Sequence, residues 1–187
     1  MTRSAAALCL SALFAASLAG CRLVDVQDTQ SIDHELFLRG FTGLEGQSFA
    51  GAVDESFAPT NPFPGEPLTM HVLEADGNSA RIAFHVGTDH SRTWVITRPR
   101  PDRLHLRHDH RHEDGTPHEI TDYGGYAAPG GSARRQSFPA DRHTARLIPE
   151  ASTNIWTLEL SNNQFIYALT RDDQPRFRAI FDLSSPQ

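Results

Sequence analysis

The chain has 187 residues, a formal net charge of −6 with histidines neutral, and 39% hydrophobic residues. That length suits one domain with a full core. A mildly acidic chain with no basic run is a poor partner for nucleic acid, and all 17 of its basic side chains are arginines.

The first residues read as an export signal. Arg3 supplies a short basic start, and Ala5 through Ala16 is an apolar run too short to span a bilayer comfortably. Leu18-Ala19-Gly20-Cys21 follows. This stretch resembles the lipobox of bacterial lipoproteins. The resemblance covers residues 1–21 and implies cleavage before Cys21, with residues 1–20 as signal peptide. It also implies that Cys21 carries the lipid, palmitate included, and so ties the chain to a membrane. Arg22 stands where an Asp would signal inner-membrane retention, so the resemblance implies the outer membrane, facing the periplasm. The competing reading is an ordinary secretory peptide with an incidental Cys. The other cysteine, Cys9, lies inside the segment to be removed. A mature chain with one acylated Cys has no disulfide and depends on its core.

Residues 21–45 read as a polar tether followed by a short helix. Ile32, Leu36, Phe37 and Phe41 fall at near-helical spacing over Ile32–Phe41, with Ser31 as the expected cap. Gly46–Val53 reads as the first strand. Phe57–Pro67 holds four prolines and reads as a loop. Then the chain alternates. Leu68–Ala75 and Ala80–Val86 flank an Asp76-Gly77 hairpin signal. Arg92–Arg98, Arg103–His112, Glu119–Tyr123 and Ala133–Phe138 follow as strands, with Gly124-Gly125 expected to stop one of them. Ala140–Leu147 suits one or two helical turns, in a segment that either caps a barrel mouth or crosses it as a loop. Asn154–Leu160, Gln164–Thr170 and Arg176–Leu183 complete the series.

About ten strands with short antiparallel connections predict an all-β domain over residues 46–187. The expected form is an up-and-down barrel with one or two short helices. The layout is similar to that of the calycins in strand count and order, without a family sequence signature. Closure would also remove exposed sheet edges.

The densest chemistry lies in Arg103–His112. Two-residue alternation places His108, His110 and His112 on one face with Leu104 and Leu106. The other face carries His105, Arg107, Asp109, Arg111 and Glu113. Three readings follow. In the first, the histidines line a polar pocket walled by Trp94 and Tyr123, with Arg107, Arg111, Arg134 or Arg135 neutralising an anion. In the second, His108 and His110, or His110 and His112, bind a metal. Same-face neighbours sit about 6.6 Å apart, so a third ligand must come from elsewhere: His118, Glu119, Asp122 or Tyr123. A His-x-His strand also occurs in cupins, but the remaining cupin pattern does not fit. A haem is a further candidate, although the sequence selects no cofactor. In the third, the histidines are satisfied interior groups and the charges form cross-strand ladders. No catalytic motif is present: there is no Gly-x-Ser-x-Gly, His-Glu-x-x-His, phosphate loop or dinucleotide glycine set. The expectation is a binding or envelope-structural barrel whose partner is a small molecule or an envelope protein.

Overall fold

The computed structural model describes residues 26–187. The expected signal segment and Cys21 lie outside the described residues. The chain forms α1 (Val26–Thr42), β1 (Ser48–Val53), β2 (Leu68–Ala75), β3 (Ser79–Val86), β4 (Asp89–Arg100), β5 (Arg103–His110), β6 (Tyr123–Tyr126) and β7 (Arg135–Pro139). Then come α2 (Arg142–Leu147), a 3-10 turn at Pro149–Ala151, β8 (Ile155–Leu160), β9 (Gln164–Arg171) and β10 (Gln174–Pro186). All ten strands form one antiparallel sheet in the order β6-β5-β4-β3-β2-β1-β10-β9-β8-β7.

This is an up-and-down, calycin-like barrel. Every neighbour but one is also a neighbour in sequence, and the exception, β1 beside β10, joins the two ends of the strand series. The sheet's outer strands, β6 and β7, then meet along a seam. No ladder runs across it. Instead Ala128 N donates to Ser137 O at 2.8 Å, and Asp141 N donates to Gly124 O at 3.0 Å.

Local chemistry explains most of the elements. In the β2–β3 hairpin, Asp76 Oδ1 accepts from the Asn78 and Ser79 amides at 2.8 and 2.7 Å, and Gly77 supplies φ +81°. Alternation then buries one face of each strand. β8 alternates half-buried and buried residues throughout, and Trp156, Leu158 and Leu160 point inward. Inside, Trp94 is stacked between Phe84 at 4.8 Å and Tyr167 at 4.5 Å, and Phe165 and Phe181 pack around it. The barrel interior is therefore a side-chain core rather than an open channel.

One end is closed by α1. Phe37, Leu38 and Phe41 are fully buried, with Phe41 edge-on to Phe165 at 5.6 Å. Arg98 pins the helix from β4, donating to Ser31 O and Ser31 Oγ at 3.1 and 3.0 Å and to Glu35 Oε2 at 3.3 Å. The expected helix over Ile32–Phe41 is thus the second half of a longer one. Ser31 sits within it rather than capping it, and part of the expected tether is helical. The buried face also differs: Ile32 and Leu36 are 54% and 49% exposed, and His34 takes the inward position. Among the described residues no helix is long and apolar enough to cross a membrane.

The sixth strand lies further along than expected, at Tyr123–Tyr126 instead of Glu119–Tyr123. Gly124-Gly125 does not stop it. A Cβ on Gly124 would strike the Leu106 carbonyl, and one on Gly125 the Pro139 carbonyl. The two glycines are what let β6 fit between β5 and the end of β7.

Candidate functional site

At the end of the barrel opposite α1, the inward-facing rows run out of core and into polar groups. On β4 the row Ile96, Trp94 ends in Arg92. On β5 the row Leu104, Leu106, His108 ends in His110. On β9 the row Phe165, Tyr167, Leu169 ends in Arg171. These ends converge on a cleft of about 560 Å³, lined by Arg92, His110, Tyr123, Trp156, Tyr167 and Arg171, with His118 and Glu119 at its edge. Ile148 and Ala151, from the segment after α2, form another side. That segment therefore borders the mouth through Ile148 and Ala151.

His108 lies beneath the cleft, 7% exposed. Its Nδ1 is 3.1 Å from the Tyr123 carbonyl and its Nε2 is 2.9 Å from Tyr167 Oη. A carbonyl only accepts, so Nδ1 carries the hydrogen and Nε2 accepts from the Tyr167 hydroxyl. The ring is neutral. Burial drives its pKa down to about 4, against the pull of the Tyr123 carbonyl and with help from Arg107 and His110. Burial also raises the Tyr167 hydroxyl well above the usual phenol range. Tyr123 stacks on His108 at 4.6 Å and 6°, and Trp156 lies 5.0 Å away. This aromatic layer is a rigid floor.

The cleft's polar groups are each held from behind. His110 Nε2 meets Ser91 Oγ at 2.7 Å, and the His110 amide donates to Thr121 Oγ1 at 2.7 Å. Burial, then the charges of Arg92 and His118, lower the His110 pKa. Arg92 donates to Asp89 Oδ2 at 2.5 Å and lies over the Phe63 ring at 5.6 Å. Burial pushes the Asp89 carboxyl up, but Ser91 and Arg92 outweigh it and hold the group at about 2. Arg171 Nε donates to Asn154 Oδ1 at 2.7 Å.

Beyond His110 the chain leaves the barrel as a short hairpin. His118 N donates to His110 O, and His112 N donates to Thr116 O, both at 2.9 Å, with Arg111 bridged to Pro117. The turn is fixed by Asp114 Oδ1, which accepts from the Thr116 amide at 2.9 Å, and by Gly115 at φ +84°. His118 stacks on His110 at 4.5 Å and on His112 at 3.7 Å. The ligand atoms of His112, His118 and Glu119 lie within 4.8 Å of one another.

The expected alternation holds through His108 and then fades. Arg107 and Asp109 face outward and are half-buried, while His112 is as exposed as Arg111 because the strand has left the barrel. Of the predicted pocket residues, His110 and Tyr123 line the cleft, and His108 and Trp94 lie below it. His112 is out on the hairpin. Arg135 is at the opposite end, on the outer face, with Glu159 at 3.2 Å. Arg107 and Arg111 are also on the outer face, paired with Asp141 at 2.7 Å and Asp109 at 2.9 Å. Arg134 borders a groove beside α1. Of the predicted metal pair, His108 has both ring nitrogens engaged by Tyr123 and Tyr167. Sequence reasoning did not find Arg92 or Arg171. Each is the next member of an alternating row: Arg92 lies two residues before Trp94, and Arg171 two residues after Leu169.

Compared with models of known protein families the chain matches none, and no curated protein matches it by sequence.

Proposed function

We propose that the chain is a lipoprotein of the bacterial outer membrane, anchored through Cys21 and facing the periplasm, whose barrel binds a small anionic molecule at its mouth. The observation that carries the binding role is the convergence of Arg92 and Arg171 on an aromatic-floored cleft. Its volume of about 560 Å³ falls within the usual range for small-molecule sites. Two guanidiniums, each already oriented by a neighbour, suit a carboxylate or phosphate. The faces and edges of Tyr123, Trp156 and Tyr167 suit a flat or apolar remainder. The filled core argues for a ligand seated in the mouth, not carried deep inside the barrel. The cellular address rests on the Leu18-Ala19-Gly20-Cys21 motif.

The test uses the full chain, untagged and in detergent. Native mass spectrometry reads any retained acidic molecule, and a thermal-shift panel of small carboxylates and phosphates reads added ones. The expected result is a stabilising compound whose effect disappears in Arg92→Met and Arg171→Met. A panel without any stabilising acid, together with protein that carries no bound mass, overturns the binding role and leaves an envelope-structural one. Independently, Cys21→Ser should abolish palmitate labelling and release the protein from the membrane fraction. Unchanged labelling overturns the anchor.

A further inference from the structure

We propose that His112, His118 and Glu119 form a binding site for one divalent cation of the zinc class on the rim of the mouth. The site is distinct from the cleft ligand and stands without it.

The hairpin builds the arrangement. Pairing of His110 with His118, and of His112 with Thr116, puts all three imidazoles on one face of a two-stranded ribbon. Glu119 follows His118 directly, where the chain turns out of the ribbon. The ligand atoms of His112, His118 and Glu119 are mutually within 4.8 Å. A tetrahedral Zn²⁺ with bonds near 2.0–2.1 Å requires its ligand atoms about 3.4 Å apart. The remaining closure lies within the reach of side chains exposed or half-exposed on a ribbon edge. No other trio of His, Cys, Asp or Glu comes this close among the described residues.

The three groups are also available. Among the described residues, no hydrogen bond or ion pair engages the His112 or His118 ring nitrogens or the Glu119 carboxylate. Arg111, on the same hairpin, is engaged by Asp109 and the Gly115 carbonyl. A cation at Glu119 meets a carboxylate with no ion-pair partner among the described residues. Two imidazoles and one carboxylate favour Zn²⁺ over Ca²⁺ or Mg²⁺, which prefer all-oxygen shells. Three protein ligands leave a coordination position open. His118 and Glu119 also border the cleft, so that position lies beside it.

The experiment is calorimetric titration of Zn²⁺ into the full-length, untagged, chelator-stripped protein in detergent, with Ca²⁺ as a comparison. One Zn²⁺ per chain is expected, with Ca²⁺ inert. His112→Ala and His118→Ala should each weaken binding at least tenfold, and Glu119→Gln should weaken it measurably. His71→Ala, on β2, where the ring meets Ser48 Oγ at 2.7 Å, should leave it unchanged. Circular dichroism confirms that each variant is folded, as expected for residues outside the core. Absence of stoichiometric Zn²⁺ binding, equal binding of Ca²⁺, loss of binding in His71→Ala, or wild-type affinity in Glu119→Gln would each overturn the site.

Discussion

The Thr144 hydroxyl closes the barrel on Gly124: it donates to the Gly124 carbonyl and accepts from the Gly124 amide, both at 2.7 Å. Thr144 is fully buried, and where the β6–β7 ladder is missing this one side chain does the work of a paired strand residue. Asp141 positions it. Asp141 caps α2 by accepting from the Thr144 amide at 2.9 Å and also takes Arg107 Nη2 at 2.7 Å. Burial pushes the Asp141 carboxyl up, but Arg107 and the Thr144 amide outweigh that and hold it at about 2. Thr144→Val keeps the shape and takes the acceptor from the Gly124 amide, while the Gly124 carbonyl keeps only the Asp141 amide. Leaving a buried polar group unpaired costs about 1–3 kcal/mol, so the urea midpoint should fall by that equivalent, while Thr144→Ser should recover most of it. Equal midpoints for Thr144→Val and wild type would show that the Thr144 hydroxyl contributes nothing to the seam.

Gly125 should tolerate substitution still less. A Cβ there meets the Pro139 carbonyl, a backbone atom that cannot swing aside. Gly125→Ala therefore has to part β6 from β7, and the expected loss is about 1–3 kcal/mol or more. Gly43→Ala, where a Cβ meets nothing within 4 Å, is the control. Proteolysis along residues 123–139 should rise in Gly125→Ala alone.

The seam also shows where sequence reasoning reaches and where it stops. Strands such as Leu68–Ala75 and Gln164–Arg171 were legible because a buried face and a wet face impose a two-residue period. β6 was misplaced because glycine pairs ordinarily interrupt strands, and only the closeness of Leu106 and Pro139 makes them necessary here. α1 starts earlier than expected because its largely polar first turns, from Val26, read as tether, and its buried face differs because Ile32 and Leu36 read as core and are surface. In the site, His108 and His110 follow from one strand's chemistry and Tyr123 from the strand after it. Arg92 and Arg171 were not, because a cation that ends an apolar row looks like a solvated terminus until the rows are seen to converge.

Acid should weaken the fold through His108. Its folded pKa, about 4, lies below the ordinary 6.5. Between those values the unfolded chain binds a proton that the folded chain refuses, so stability rises with pH across this window. The contribution is fully present above pH 6.5, is lost as pH falls toward 4, and levels off below. A shift of this size corresponds to roughly 3 kcal/mol at most. His34, His85, His105 and His110 are lowered too, burial being the leading cause in each, and they add in the same direction. Chemical unfolding at pH 7.5 and 4.5 should therefore give a smaller stability difference for His108→Gln than for wild type. An unchanged difference would mean that His108 is not the buried neutral base described here.

Tyr167→Phe tests the same hydrogen bond from its other side. The ring stays, still stacked on Trp94, and only the hydroxyl that donates to His108 Nε2 is lost. A buried acceptor is then left unpaired, at a cost of about 1–3 kcal/mol. The Nδ1 hydrogen should remain on the Tyr123 carbonyl, because that bond alone now selects the tautomer. Nitrogen-15 NMR of the imidazole should report a protonated Nδ1 in both proteins, with the Nε2 resonance alone moving in Tyr167→Phe. Protonation at Nε2 in the wild type would reverse the assignment: Tyr167 would accept, its hydroxyl hydrogen would point elsewhere, and the Tyr123 carbonyl would face an imidazole lone pair. That arrangement is repulsive inside a core this dry, which is why the Nδ1 tautomer is the one expected.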